Sequence, residues 1–511
     1  CSIVVRFCSG GTVMGNRPGS RTRLYVLSSL LGVVLVASLV LLHLTRDRGG
    51  STRSDLSTRV NYGVGLHTPP EGAARLIVPM EEIRLQEVRE PARYSFLTGD
   101  NARVEPSGDP DVNYPAFQSP SPRFGEVRFA GAGVAASWRL HFALDHSEGT
   151  PGTYDLLYCD ENNDLDLRND PPRRVLTDPN GFPRTNRAEV QSIWFEPVTV
   201  PFPAEPEGRR LVELLPRLWL YKDGEPRLNV VAAKVHKGRF EIGGKTCEAF
   251  LGYGSTITGR LDLTLSALCV LCEDSEHAGL VGTAMEELGV MRSLGGRWCQ
   301  FSCTPTGDQL FVYPYEGPLG VLRLDAGGRD AKRLEMFGEL CTTRTRLCIG
   351  HMLENGLLQG ADKYEIPVGD YYPDNLVVCF GDVRFSLSYN PYAKDSDGCY
   401  SRHDRATRSI RIREDQPFVL DFPDKPRVVF VHPRRKDRPT PGDEVRVEAV
   451  LVDPVLDAMV QRLEDMAQSE TRTYTMLDGR QRTFETGLVL QPRVVVKRGG
   501  EILAEGVMPF G

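Results

Sequence analysis

Oxygen-bearing side chains recur at every second position in the segment 158–170, directly after an apolar stretch. They are Asp160, Asn162, Asp164 and Asp166, and Asp170 follows. Calcium in proteins takes six to eight oxygen ligands, and a D-x-[DN]-x-[DN] loop directs three side chains to one point. The spacing therefore predicts a Ca²⁺ site in which Asp166 contributes its backbone carbonyl and Leu167 packs into the core.

Two residues depart from the usual calcium-loop pattern. Leu165 stands where such loops have the glycine that makes the sharp turn, and Pro171 stands where a bidentate acid would close the loop. Asp170, one residue earlier, is the predicted substitute for that acid. The alternative interpretation is a solvated acidic turn that binds no ion.

Motifs for other chemistry are absent from the sequence. It contains no H-E-x-x-H, no G-x-S-x-G and no phosphate-binding glycine loop, so no catalytic residue is assigned. A pair of acids that hydrolyses glycosides has no recognisable spacing. His141 is expected to be a packing residue in a strand. The four tryptophans could form a sugar-stacking face, although tryptophan in strands is more often part of the core: Trp138, Trp194, Trp219 and Trp298.

The cysteines indicate an oxidising compartment. Of 12 cysteines, only Cys1 and Cys8 precede residue 24. A zinc set is one interpretation of C-x-x-C at 269–272 together with C-x-x-x-C at 299–303. However, 267–272 is typical of a buried strand, in which Cys269 and Cys272 would face opposite sides. Disulfides or buried thiols are therefore favoured over zinc or redox chemistry.

One apolar segment, 24–44, is long enough to cross a bilayer as a helix. It is flanked by arginines on both sides and lacks a clear cleavage site, which favours an uncleaved signal anchor over a cleaved signal peptide. Residues 1–23 would then be a cytoplasmic head. Met14 precedes the basic part of this head, so one interpretation is that residues 1–13 are not translated.

The rest of the chain is predicted to be mainly β-structure displayed outside the cytoplasm. Plentiful Gly (50) and Pro (36) suit short strands joined by turns. The expected organisation is a linker at 45–73 and tandem β-sandwich or barrel-like domains at 74–235, which carries the acidic loop, and 236–420. The domain 421–511 is predicted to be immunoglobulin-like. A net charge of −7 argues against nucleic-acid binding.

One short helix is predicted inside the last domain. Asp453-Pro454 combines an N-cap residue with proline at the first helical position. Apolar residues then recur at helical spacing: Leu456, Met459, Val460, Leu463 and Met466.

Several short motifs in 150–511 resemble one group of bacterial proteins. They are Y-D-L-L-Y-x-D-x-N at 154–162, G-G-K at 243–245, G-R-L-D at 259–262, P-x-G at 305–307, E-G-P-L-G at 316–320, P-x-G-D-Y at 367–371 and M-P-F-G at 508–511. Together they resemble uncharacterised envelope-anchored β-rich proteins of planctomycete-type bacteria with calcium-like loops. This resemblance implies an extracytoplasmic β-rich protein and implies no reaction. The chain departs from that pattern at Tyr253, where an acid is usual.

The sequence therefore favours a binding protein over an enzyme. We expect a single-pass membrane protein with a structural or adhesive function, whose partner is a protein or polysaccharide of the envelope. Calcium would stabilise the fold. The alternative is an envelope hydrolase acting on glycans.

Overall fold

A computed structural model describes twenty segments of the chain. These are 2–6, 76–85, 100–129, 138–147, 154–176, 190–204, 208–221, 226–254, 256–263, 266–272, 286–327, 333–342, 345–352, 358–394, 400–402, 407–422, 426–432, 444–475, 481–498 and 501–507. The predicted membrane segment 24–44 and the linker 45–73 lie outside them. Within the described segments, no helix has the length and apolar character needed to cross a membrane.

The described residues form 37 β-strands and no α-helix, which confirms the mainly β prediction. In chain order they are β1 Ser2–Arg6, β2 Leu76–Pro79, β3 Glu81–Arg84, β4 Asp100–Arg103, β5 Arg123–Phe129, β6 Trp138–Asp145, β7 Leu156–Cys159, β8 Arg173–Arg174, β9 Val190–Trp194, β10 Val198–Ala204, β11 Gly208–Tyr221, β12 Arg227–Ala232, β13 Lys234–Ile242, β14 Lys245–Gly252, β15 Ala267–Cys272, β16 Glu286–Glu287, β17 Val290–Leu294, β18 Arg297–Cys303, β19 Gln309–Pro314, β20 Leu319–Asp325, β21 Leu334–Cys341, β22 Arg346–Ile349, β23 His351–Met352, β24 Leu358–Gln359, β25 Lys363–Pro367, β26 Gly369–Phe380, β27 Val383–Ser388, β28 Tyr392–Lys394, β29 Tyr400–Arg402, β30 Ile410–Ile412, β31 Phe418–Asp421, β32 Arg427–His432, β33 Glu444–Val452, β34 Met459–Thr475, β35 Gln481–Val489, β36 Arg493–Arg498 and β37 Glu501–Val507.

Two sheets form a sandwich that contains the acidic loop. One has the order β10-β11-β12-β4, with β9 also paired to β11, and the other has the order β5-β6-β7-β8. Their facing sides share one apolar core, because residues such as Leu140 and Phe142 from one sheet meet Leu214 and Leu218 from the other. Alternation along each strand sends the intervening side chains to the two outer faces.

A second core joins the sheet β16-β15-β14-β13-β3 to strands β2, β17, β18 and β19. The predicted hairpin at Gly243-Gly244 is present between β13 and β14, and both glycines have positive φ, as its two-residue turn requires. A Cβ on Gly243 would lie 2.4 Å from the carbonyl oxygen of Gly295, so this position is closed to other residues.

A third core lies between the largest sheet and the three-stranded sheet β25-β20-β31. Pairing crosses the predicted domain boundaries: β27 pairs with β34, and β2 and β3 pair with β19 and β13. Strand β13 also begins two residues after β12 ends, although the two strands belong to different sheets. The single connecting residue, Ala233, is buried and hydrogen-bonded at both its N–H and its carbonyl.

The predicted helix after Asp453 is wrong. Its residues form a tight connection followed by the long strand β34, which pairs with β27 and β35. The capping role predicted for Asp453 is present, because its buried carboxylate accepts hydrogen bonds from the backbone N–H groups of Val455, Leu456 and Ala458. Asp457 then adopts a positive φ of 54°, and the chain reverses instead of continuing as a helix.

Candidate functional site

The acidic loop leaves strand β7 and is fixed to the sandwich at both ends. The N–H of Asp160 donates to the carbonyl of His141 on β6, over 3.0 Å. Leu167 is fully buried, in a cluster that includes Val112 and Tyr158, as the sequence predicted. Asn113 holds the loop from the other side, since its carbonyl accepts the N–H of Leu167 and its N–H donates to the carbonyl of Leu165. These contacts fix the loop's position on the sheet.

Asp160 organises the turn. Its side chain is buried, and its two carboxylate oxygens accept the N–H groups of Asp164 and Leu165, each at 3.0 Å. Asn163 and Leu165 both have positive φ, 60° and 63°. Leu165 thus takes the left-handed conformation that the missing glycine would supply, at a cost of about 1–2 kcal/mol. The first departure from the calcium-loop pattern therefore does not prevent the turn.

Asn162 and Asp164 lie on the exposed side of the loop. The Asn162 Oδ1 accepts the N–H of Asp164 at 2.9 Å, and Asp164 Oδ1 accepts the N–H of Asp166 at 2.9 Å. The other Asp164 oxygen accepts the side-chain amides of Asn162 and Asn169, at 3.0 and 2.7 Å. Oxygen and nitrogen of such amides exchange places by a simple flip, so both can present oxygen to a cation.

The Asp166 side chain forms an ion pair with Arg168 and does not point its carboxylate to the predicted ion site as a free ligand. Its carboxylate binds the Arg168 guanidinium through two hydrogen bonds, of 2.7 and 2.6 Å, and these hydrogen bonds lower the pKa of Asp166. Only its backbone carbonyl is left as a ligand, which is the donor that the sequence assigned to this position.

Asp170 carries a carboxylate oxygen, Oδ2, that is buried and has no hydrogen-bond partner among the described residues. The pKa of Asp170 is raised to about 6, mainly by burial and also by the negative charges of Asp160, Glu161 and Asp164, while a hydrogen bond from the Glu161 backbone opposes the rise. An unpaired carboxylate beside other acids is the arrangement that a cation stabilises.

The donor set fits calcium in its chemistry, because all the candidate ligands are oxygens and Asp170 provides an orphaned one. Among the described residues, however, no three His, Cys, Asp or Glu side chains are gathered in ligand geometry. The Asp160 and Asp164 oxygens are occupied by loop N–H and amide groups in this conformation.

Asp170→Asn should change the pH dependence of stability in chelator. Between about pH 4 and 6 the folded state binds more protons at Asp170 than the unfolded state, so this residue lowers the free energy of unfolding as pH rises. Urea titrations should show that the variant lacks this fall and is more stable above pH 7, by about 1 kcal/mol after solvent screening. Asp166→Asn is the control of opposite sign, because the Asp166 pKa is lowered and its contribution is lost at acid pH. An unchanged pH profile for Asp170→Asn would contradict the assignment.

A cleft of about 820 Å³ is connected to the loop through His141, which lines the cleft and whose carbonyl accepts the N–H of Asp160. Its floor is the outer face of β5 and β6, with Phe124, Glu126 and His141, and Arg103 of β4 and Tyr114 line its sides. This volume lies in the range of small-molecule sites, and aromatic and charged groups converge on it. His141, predicted as a packing residue, is buried and also lines this cleft.

Three acids line the same cleft: Glu105, Asp109 and Glu126. Glu126 is paired with Arg128 and with Arg139, the latter at 3.2 Å. Sequence reasoning missed the cleft because its residues come from separate strands and loops. No spacing along the chain marks them.

The cysteines form one disulfide among the described residues, between Cys247 and Cys272, which lie directly opposite each other on β14 and β15. Cys269 lies in a different apolar cluster from Cys272, as strand alternation predicted. Cys299 and Cys303 also lie apart from Cys269, so the zinc set is not assembled. Burial raises the pKa of Cys299 to about 12, which keeps that thiol protonated and unreactive.

The tryptophans divide between core and surface. Trp298 is buried and its Nε1 donates to the Glu365 carbonyl at 2.8 Å. Trp194 and Trp219 are half-buried on the outer face of the β9–β11–β12–β4 sheet, where the guanidinium carbon of Arg217 lies 4.7 and 3.7 Å from their ring centroids. Burial lowers the pKa of Arg217 to about 10, so Arg217 is still a cation at neutral pH.

Comparisons with protein families, with curated proteins and with solved structures found no match to this chain.

Proposed function

We propose that the chain is a calcium-stabilised binding protein, anchored in a membrane by 24–44, with a structural or adhesive function outside the cytoplasm. Its body would consist of tandem β-sandwich-like domains, the last one immunoglobulin-like, and its partner would be a protein or polysaccharide of the envelope. Membership of the envelope-anchored β-rich proteins, which the short motifs in 150–511 suggest, would imply the same compartment.

The cleft beside the acidic loop is the observation that carries this proposal. It combines apolar ring surface from Phe124 and Tyr114 with the charged groups of Arg103 and Glu126. Such a lining suits a polar ligand with some apolar surface, and a sugar ring has both.

Calcium would bind the acidic loop, which contacts the floor of the cleft, and not the cleft itself. It would be held by side-chain oxygens of Asp160, Asn162, Asp164 and Asp170 and by the Asp166 carbonyl. It would supply positive charge that offsets the repulsion among these acids. Because the Asp160 N–H is bonded to the carbonyl of His141, a rigid loop also steadies the floor of the cleft.

Two observations bear on the compartment. The disulfide between Cys247 and Cys272 supports an oxidising environment. The strand Ser2–Arg6 pairs with β33 in the structure, from Ser2 opposite Glu448 to Arg6 opposite Glu444. A cytoplasmic head could not reach β33 on the far side of a membrane, so this pairing counts against the proposed anchor. Sedimentation of the full chain with membranes tests which of the two states the protein adopts.

The second candidate function is a hydrolase acting on envelope glycans. It is favoured by the presence of Glu105, Asp109 and Glu126 in one cleft, because glycoside hydrolysis uses a pair of carboxyl groups. The ion pairs of Glu126 with Arg128 and Arg139 favour binding instead, since two guanidinium groups already engage this carboxyl.

One experiment separates the two functions. The full chain, purified from membranes, is applied to an array of envelope-type oligosaccharides, and both retention and release of reducing ends are measured. A binding protein should retain a glycan intact and lose about tenfold or more in affinity in His141→Gln or Glu126→Gln. Cleavage that stops in Glu126→Gln would establish the hydrolase. Failure to retain any glycan or envelope protein would refute the cleft as a binding site, and failure to sediment with membranes at high pH would refute the anchor.

A further inference from the structure

The outer face of the β9–β11–β12–β4 sheet carries two rows of side chains, of which only Asn101 and Arg103 also line the cleft. Strand register places Trp194, Arg217, Asn229 and Asn101 side by side in one row, and Ser192, Trp219, Arg227 and Arg103 in the next. The opposite face of the sheet is core. We call these two rows the arginine–tryptophan face.

Arg217 is an unusual group to bury. It is 7% exposed, its Nε has no hydrogen-bond partner, and no described carboxylate lies within ion-pair distance. Its guanidinium contacts the two indole rings and donates one hydrogen bond, from Nη2 to the Ser192 hydroxyl at 3.3 Å. Cation–π contacts return about 0.5–2 kcal/mol each, whereas burying a charge costs several kcal/mol. Stability alone therefore does not account for an arginine here.

Arg103 and Arg227 add to the positive charge of the face. They lie directly opposite each other on β4 and β12, both are exposed, and no ion pair joins either to a described carboxylate. Like charges in directly opposed positions destabilise a sheet. An anion placed over this face would relieve the repulsion between them.

The remaining side chains of the face suit a sugar. The half-buried Trp219 ring packs against the Arg217 guanidinium and offers an apolar surface on which a pyranose can stack. Nearby, the Asn229 amide donates to Asn101 Oδ1 at 3.0 Å, so polar amide groups border the ring surface. A sugar ring has an apolar face, which can stack on an aromatic ring, and hydroxyl groups at its edge, which can form hydrogen bonds with neighbouring amide groups.

We propose that the arginine–tryptophan face binds a carboxylate-bearing polysaccharide, with a sugar ring on Trp219 and its carboxylate on Arg227 and Arg103. This proposal rests on the proposed binding function and names a ligand class within it, but it uses a surface other than the floor of the cleft. Arg217 acts as a positioning residue that orients the rings and contributes positive potential.

The test uses the full chain and polygalacturonate, with methyl-esterified polygalacturonate as the uncharged version of the same polymer. Calorimetry should show saturable binding of the acid form, weakened by salt, and at least about tenfold weaker binding of the ester. Arg227→Gln and Arg103→Gln should each weaken binding about tenfold. Arg493→Gln, which changes an exposed arginine paired with Glu505, should leave it unchanged.

Arg217→Met distinguishes a ligand-directed role from a structural one. Methionine keeps the apolar length without the charge, so polygalacturonate binding should fall about tenfold while the melting temperature stays the same or rises. A lower melting temperature with unchanged binding would show that Arg217 is only structural.

Other outcomes would overturn the proposal in different ways. Equal binding of acid and ester would exclude recognition of charge, and equal binding of poly-glutamate would show general anion exchange or an acidic protein partner. Loss of binding in Arg128→Gln but not in Arg227→Gln would place the ligand in the cleft. In that case the proposed binding function would still hold, but the ligand site would be the cleft. If the chain binds no polygalacturonate at all, the arginine–tryptophan face is not a site for carboxylate-bearing polysaccharides.

Discussion

Calcium at about 100 times its Kd should raise the melting temperature of the chain by about 5–10 °C, and Asp160→Ala with Asp164→Ala should abolish this rise. A ligand at that concentration stabilises the folded state by about 2.7 kcal/mol, which corresponds to about 2–4 °C per kcal/mol for a domain of this size. The double variant removes two of the predicted ligands, so calcium has no site to fill.

The control has to match the change in charge. Glu414→Ala with Asp415→Ala also removes two acids, from an exposed segment outside the loop, and should keep the calcium response. Melting followed by circular dichroism in calcium and in chelator gives the comparison. If the wild-type chain melts at the same temperature in both, calcium does not stabilise this protein.

Arg384→Leu should lower the free energy of unfolding by up to about 3–5 kcal/mol, because it removes one of the two arginines that pair with the buried Glu464 charge. The Arg384 Nε binds Glu464, whose side chain is only 3% exposed on β34, and its Nη2 donates to the Glu485 carbonyl at 3.3 Å. Without this arginine the Glu464 charge stays buried, with only the half-exposed Arg462 to pair it among the described residues.

Urea unfolding of three variants tests this prediction. Arg384→Leu combined with Glu464→Leu should recover most of the loss, because the buried charge is then gone. Arg323→Leu, which breaks the exposed pair with Asp325, should cost less than about 1 kcal/mol. A double variant as unstable as the single one would contradict this explanation.

The helix error after Asp453 has a specific cause. Strand β34 has a bulge opposite Ser386 and Leu387. The extra residue changes which alternate side chains of the strand face the core, so those after the bulge are offset by one position from those before it. Leu456 and Val460 precede the bulge and Leu463 follows it, and all three pack on the same core. Their separations of four and three residues mimic a helix, although the structure is a turn followed by a strand.

Local patterns were sufficient where one strand or turn carried the information. The Gly243-Gly244 hairpin, the buried Leu167 and the opposite directions of Cys269 and Cys272 follow from neighbouring residues alone, and the structure has all three. The cleft and the arginine–tryptophan face depend on which strands become neighbours. Arg227 and Arg103 are far apart in sequence, and only the pairing of β12 with β4 makes them opposed charges.

The one-residue passage from β12 to β13 has a mechanical consequence. Ala233 is buried and tied by its backbone to Glu213 and Leu85, so no slack chain separates the first sandwich from the next sheet. A pulling force on the chain would pass from β12 to β13 through Ala233 without first extending a loop. It would act at the same time on the hydrogen bonds of Ala233 to Glu213 and to Leu85. For the adhesive function proposed above, this short, hydrogen-bonded connection would limit relative movement of the two sheets under shear.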